Sequence, residues 1–152
     1  MGDFDLRFKS RTKGNNSGVQ YRSEVTKGDG WRMKGYQFDL HPNQPYLGML
    51  YEEGGRGIAC KRGEQVELEA GKKPAVVGEL EMEETDLSEW QSYRIVAKGN
   101  RLEHYVNGKL AAVITDKDEK KRALKGSIGL QLHRGPAMRV EFKDFELREL
   151  GD

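Results

Sequence analysis

Apolar and polar residues alternate along most of the chain. Phe4, Leu6 and Phe8 form one period-2 run, and Val19 and Tyr21 another. Tyr36, Phe38 and Leu40 follow, then Leu47, Met49 and Tyr51, and then Val66 and Leu68. Further on come Tyr93, Ile95 and Ala97, then Leu102, His104 and Val106, and then Ile128, Leu130 and Leu132. Met138, Val140, Phe142, Phe145 and Leu147 close the pattern. Alternation in short segments bounded by Gly, Asn or Asp predicts half-buried strands, because successive strand side chains point to opposite faces. Asn107-Gly108 between two such segments predicts a two-residue hairpin, since both residues accept the positive φ of a type I′ turn. Lys98-Gly99-Asn100 predicts a second tight turn, so 92–114 reads as a three-strand meander. No segment carries a helical apolar stripe. Asp116–Leu124 comes nearest, but it lacks an apolar face and reads as an exposed loop or a single turn. About eleven or twelve short strands in one unit predict an all-β fold, an antiparallel β-sandwich or jelly roll spanning 1–152 as a single domain.

Composition narrows the function classes. The 152 residues hold 19 Gly but only four Pro, so the glycines read as turn punctuation within a patterned chain. The one cysteine, Cys60, excludes an intrachain disulfide and a cysteine-based zinc site. Twenty-six Lys and Arg against 25 Asp and Glu leave a net charge of +1, which provides no field to gather nucleic acid or an anionic membrane surface. Mean hydropathy is −0.83, and no apolar run has the length of a membrane-spanning helix. Met1-Gly2-Asp3 passes directly into a strand pattern with no leader sequence. A cytoplasmic protein and an exported one whose leader is trimmed both fit.

Several familiar chemistries find no support. Glu84, Asp86 and Glu89 match a Glu-x-Asp-x-x-Glu glucanase spacing. Their spacers do not alternate, however, and the segment reads as a capped turn before a strand at Gln91. No Gly-x-Ser-x-Gly is present, and Cys60 has no patterned histidine partner. His41, His104 and His133 are far apart, so a metal site would have to recruit carboxylates such as Asp39 or Glu52. Polar residues sharing one strand face are more informative. Gln20 and Arg22 oppose Val19 and Tyr21, Gln37 and Asp39 oppose Phe38 and Leu40, and Gln131 and His133 oppose Leu130 and Leu132. Amide, carboxylate and guanidinium groups on neighbouring strands can hydrogen-bond the vicinal hydroxyls of a sugar. A water-facing sheet surface would show the same alternation.

Six ordered segments carry a resemblance. They are Asn16–Ser23, Lys34–Leu40, Leu50–Gly57, Trp90–Asn100, Leu102–Gly108 and Gly126–Leu147. Together they resemble the 3-keto-disaccharide hydrolase domain family. The resemblance implies a concanavalin-like jelly roll, a bacterial origin, export to the periplasm or cell surface, and action on glycosides oxidised at C3. Carried over by position, the family's cleft falls on Gln20, Arg22, Gln37, Asp39, Tyr51, Glu52, Arg56, His104, Gln131 and His133. A C3 ketone acidifies the C2 proton, so proton abstraction there can expel the group on C1 and water can add later. That chemistry needs a base and a partner for the enolate oxygen, without a pair of carboxylates. His133 or Asp39 is expected as base, and Arg22, Arg56 or a divalent cation as the enolate partner. Gln20, Gln37, Tyr51, Glu52, His104 and Gln131 are expected to bind substrate. For His104, a place in the core is an equal expectation. A non-catalytic carbohydrate-binding module is the alternative reading.

Overall fold

A computed structural model describes residues 1–28 and 30–151. The described residues contain twelve strands. β1 is Phe4–Lys13, β2 Ser17–Val25, β3 Met33–Leu40, β4 Leu50–Glu53, β5 Gly57–Cys60 and β6 Glu64–Leu68. β7 is Ala75–Glu79, β8 Gln91–Lys98, β9 Arg101–Val106, β10 Lys109–Asp116, β11 Ser127–Leu132 and β12 Arg139–Glu149. A single 3-10 turn at Gln44–Tyr46 is the one helical element among them. Among the described residues no helix is long and apolar enough to cross a membrane.

The strands form a seven-stranded sheet, ordered β12-β1-β8-β9-β10-β6-β7, and a five-stranded sheet, ordered β11-β2-β3-β4-β5. All pairings are antiparallel except β10 with β6. The expected meander is present as β8, β9 and β10. Its second turn uses Asn107 at φ 49° and Gly108 at φ 81°, the conformation that favours Asn-Gly.

The inward faces of the two sheets make the core. Phe4, Phe8 and Tyr93 from the larger sheet meet Tyr21 and Phe38 from the smaller one. Phe4–Tyr21, Phe8–Phe38 and Phe38–Tyr93 make edge-to-face contacts at 5.9, 6.1 and 5.6 Å. Each such pair adds about 0.5–1.5 kcal/mol beyond burial. The odd spacing of Phe142 and Phe145 also has a cause. β1 and β12 slip register between Arg7 and Lys9, and Asp144 opposite adopts φ 53°. This bulge brings both rings against Phe8, at 6.1 and 5.7 Å.

The alternation expected over Leu47, Met49 and Tyr51 is displaced by one residue. Leu47 and Met49 are buried, but they lie in the loop that precedes β4. Within β4 it is Leu50 and Glu52 that face inward, while Tyr51 faces outward. A one-residue change of register moves every side chain to the other face. For Glu52 that decides whether it can join a binding surface.

Candidate functional site

The outer face of the five-stranded sheet carries a row of polar side chains set by strand register. Gln20 pairs with Gln37, and Gln37 with Tyr51, on consecutive strands. One pair further along, Asp39 on β3 and Gln131 on β11 flank Gly18 of β2. Gly18 has no side chain, and Gln37 fills the gap it leaves. A Cβ at Gly18 would stand 2.8 Å from the Gln37 amide carbon. From this place Gln37 Nε2 donates to Asp39 Oδ1 and, at 3.2 Å, to Gln131 Oε1. Because the Gln131 oxygen accepts this bond, its own amide nitrogen is left to donate elsewhere. Gln37 Oε1 is buried without a partner.

Asp39 is 3% exposed. Burial pushes its carboxyl up to about 7; the Gln37 hydrogen bond opposes that shift, and the charge of Glu53 adds to it. Gln37 is at least as enclosed, so the pair forms the buried floor of the site.

A groove of about 520 Å3 lies beside this floor. Its lining includes Gln20, Gln131, His133, Arg134, Glu53 and Trp31. His133 follows the end of β11. Its Nδ1 lies 2.6 Å from the Arg134 carbonyl oxygen, which can only accept, so Nδ1 carries the proton and Nε2 keeps its lone pair. Asn15 Nδ2, which can only donate, lies 3.3 Å from the same ring nitrogen; the shorter Arg134 contact sets the tautomer, and the Asn15 amide makes no bond to the protonated Nδ1. His41 stands close enough for the charge of His133 to add to burial in lowering its pKa.

Gln20, Gln37, Asp39, Tyr51 and Gln131 therefore share the outer face, with His133 at one end. Four other expected residues are not brought there. At Arg22 the parity breaks. It adopts φ 46° where β2 and β3 slip register, and its side chain turns into the protein. It donates to the carbonyls of Gly2, Gly99 and Ala123 at 3.1, 2.7 and 3.1 Å, and to Asp3 at 2.8 Å. Glu52 and Arg56 lie at the inner side of the same sheet. Arg56 pairs with Glu52 and bridges to both oxygens of Asp116 at 3.1 and 2.5 Å, while Tyr36 donates to Asp116 at 2.6 Å. Burial works against the Arg56 charge, but Asp116 and Glu52 overcome it and raise its pKa.

His104 lies between the sheets, fully buried. Its Nδ1 donates to the Gly48 carbonyl at 2.9 Å and its Nε2 accepts from Tyr21 at 2.8 Å. Burial lowers its pKa to about 4, against the hydrogen bonds to the Gly48 and Met49 backbone. It is a core histidine with both nitrogens satisfied.

The Glu84–Glu89 segment forms no strand. Asp86 accepts from the Ser88 N–H and hydroxyl at 2.9 and 2.7 Å, the capped turn its sequence suggests. Among the described residues no group of three or more His, Cys, Asp or Glu is placed to hold a metal ion. Trp31, Glu53, Arg134 and Asn15 went unnoticed in the sequence. Trp31, Arg134 and Asn15 lie in loops, where alternation gives no facing, and Glu53 was hidden by the register displacement of β4.

The 3-keto-alpha-glucoside-1,2-lyase-like domain family matches residues 1–148. The chain belongs to this family. Its fold is also that of several solved structures. The carbohydrate-binding module CBM66 from Bacillus subtilis superposes with a TM-score of 0.57 at 14% identity, over 98% of this chain and 76% of that one. A candidate glycosyl hydrolase from Parabacteroides distasonis ATCC 8503 gives a TM-score of 0.58 at 18% identity, over 99% and 79%. A second one from the same organism gives 0.57 at 19%, over 99% and 73%. These likenesses establish the jelly-roll fold. The sequence matches none of the curated proteins. The family takes its name from a lyase of 3-keto-alpha-glucosides.

Proposed function

We propose that the outer face of the five-stranded sheet binds a 3-keto-glycoside and that His133 begins its cleavage. The observation that carries this reading is the pairing of two groups in one groove. His133 presents an unprotonated Nε2, and Gln131 has its amide nitrogen free because Gln37 occupies its oxygen.

In this reading His133 Nε2 takes the C2 proton of the bound sugar. The electron pair of the C2–H bond moves into the enolate, whose oxygen accepts from the Gln131 amide. Donors fixed in advance toward such an oxygen are commonly worth a few kcal/mol in the transition state. As the enolate collapses, the C1–C2 double bond forms and the C1–O bond breaks. The proton on His133 passes to the departing oxygen, which leaves as an alcohol. Water then adds across C1–C2 and restores the 3-keto sugar. This assignment replaces the expected guanidinium partners, since Arg22 and Arg56 are held by other groups. Asp39 acts as a positioning residue that holds Gln37 and, through it, Gln131. Its near-complete burial under the Gln37 amide supports that role over direct contact with a sugar.

Incubation with a 3-keto-glucoside is expected to release the aglycone. His133→Ala should abolish release, and Asp39→Asn should reduce it by less than about tenfold, because an asparagine oxygen still accepts from Gln37. Unchanged release by His133→Ala would remove His133 from the mechanism. Sugar binding without release would assign the chain as a binding module.

A further inference from the structure

Trp31 is 95% exposed, the most exposed large apolar side chain of the described residues. It lines the same groove as His133, Gln131 and Gln20. An indole in water gains nothing from its place there. Its face carries the negative side of the ring quadrupole and attracts the C–H face of a pyranose. The neighbouring Arg32–Glu53 pair, at 3.5 Å, brings polar groups that suit the ring's equatorial hydroxyls.

Trp31 and His133 lie toward opposite ends of β3, so the strand between them sets the span of the groove. His133 follows Leu132, which pairs through Ser17 with Leu40 at one end of β3. Trp31 precedes Met33 at the other end of that strand. Leu40 and Met33 are seven residue steps apart, about 23 Å at roughly 3.3 Å per residue. That backbone span along the floor of the groove is longer than a disaccharide. The groove between them has a volume of about 520 Å3, within the usual range of roughly 300–1,000 Å3 for ligand sites.

We infer that the groove accepts an oligosaccharide of three or more rings, with its distal ring stacked on Trp31. This rests on the reading that the outer face binds sugar and adds ligand length and a distal subsite to it.

The test is a binding series by calorimetry, using glucose oligomers of two to five units in β-1,4 and α-1,4 linkage. Affinity should rise at least tenfold from the disaccharide to the tetrasaccharide in one of the two linkages. Trp31→Ala should remove that gain while leaving the disaccharide unaffected, and Trp31→Phe should restore most of it. Trp31 is exposed, so the variants should keep the parental Tm. Trp90, held under Arg11 and Lys143, remains as a fluorescence reference for the fold. An affinity that does not grow with length, no binding at any length, or a gain that survives Trp31→Ala each overturns the inference. The cleavage reading fails separately. Aglycone release from a short 3-keto-glucoside with no length dependence would overturn only the distal subsite. Length-dependent binding without release would overturn only the catalysis.

Discussion

Gly18 and Gln37 are complementary across β2 and β3: the amide of Gln37 occupies the space that any Cβ at Gly18 would need, 2.8 Å away. This contact puts the amide within bonding distance of both Asp39 and Gln131. Gly18→Ala should therefore push Gln37 off its seat while the strands remain paired. The buried Asp39 carboxyl would lose its donor, costing about 1–3 kcal/mol of stability. Denaturant melts should show that loss, and sugar affinity at the outer face should fall about tenfold.

Asp39 makes stability depend on pH with a definite sign. Its carboxyl titrates near 7 in the folded chain and near 3.8 when unfolded. Between those values the folded chain holds a proton that the unfolded chain has released, so stability falls as pH rises from about 4 to 7 and is level beyond. Asp39→Asn removes this penalty. The variant should be more stable than the parent at pH 8, by up to a few kcal/mol, and the gap should close at pH 4. Thermal melts across that range check it, and a gap that does not change with pH would contradict the buried carboxyl.

His104 should act in the opposite direction. It stays neutral in the fold, with its pKa lowered to about 4 from an unfolded value near 6.5. The unfolded chain therefore gains a proton first on acidification. The stability this neutral ring contributes is complete above about 6.5 and is lost as pH falls toward 4. His104→Ala would empty a buried site and strand the Tyr21 hydroxyl and Gly48 carbonyl, at a cost of about 2–5 kcal/mol. The fraction that remains folded should bind sugar as the parent does.

Arg56 holds the interior together at the base of β10. Asp116 is 1% exposed, accepts from Tyr36 and the Asp118 N–H, and has Arg56 as the cation bonded to it. Arg56→Met leaves that carboxylate uncompensated and should cost about 3–5 kcal/mol. Any cleavage activity, expressed per folded molecule, should be unchanged, because Arg56 does not reach the outer face.

Alternation alone made the strands legible. Phe4, Leu6 and Phe8, or Tyr36, Phe38 and Leu40, have one folded solution, in which the apolar set faces another sheet. The same parity placed Gln37, Asp39, Gln131 and Gln20 together on the opposite face, and the structure keeps them there. Parity says nothing where the backbone leaves the pleat. The left-handed turn at Arg22 and the delayed start of β4 at Leu50 carried Arg22 and Glu52 inward, and no local pattern marks either event. Arg56 and His104 were settled by partners distant in sequence, Asp116 for one and Tyr21 for the other. Trp31 sits in a hairpin loop, where side-chain direction has no period to read. The sequence by itself determined the strands and the polar face, because both follow from the two-residue repeat of extended backbone. Only the tertiary structure decided which charges remain at the surface, because a buried charge goes wherever its partners across the fold can satisfy it.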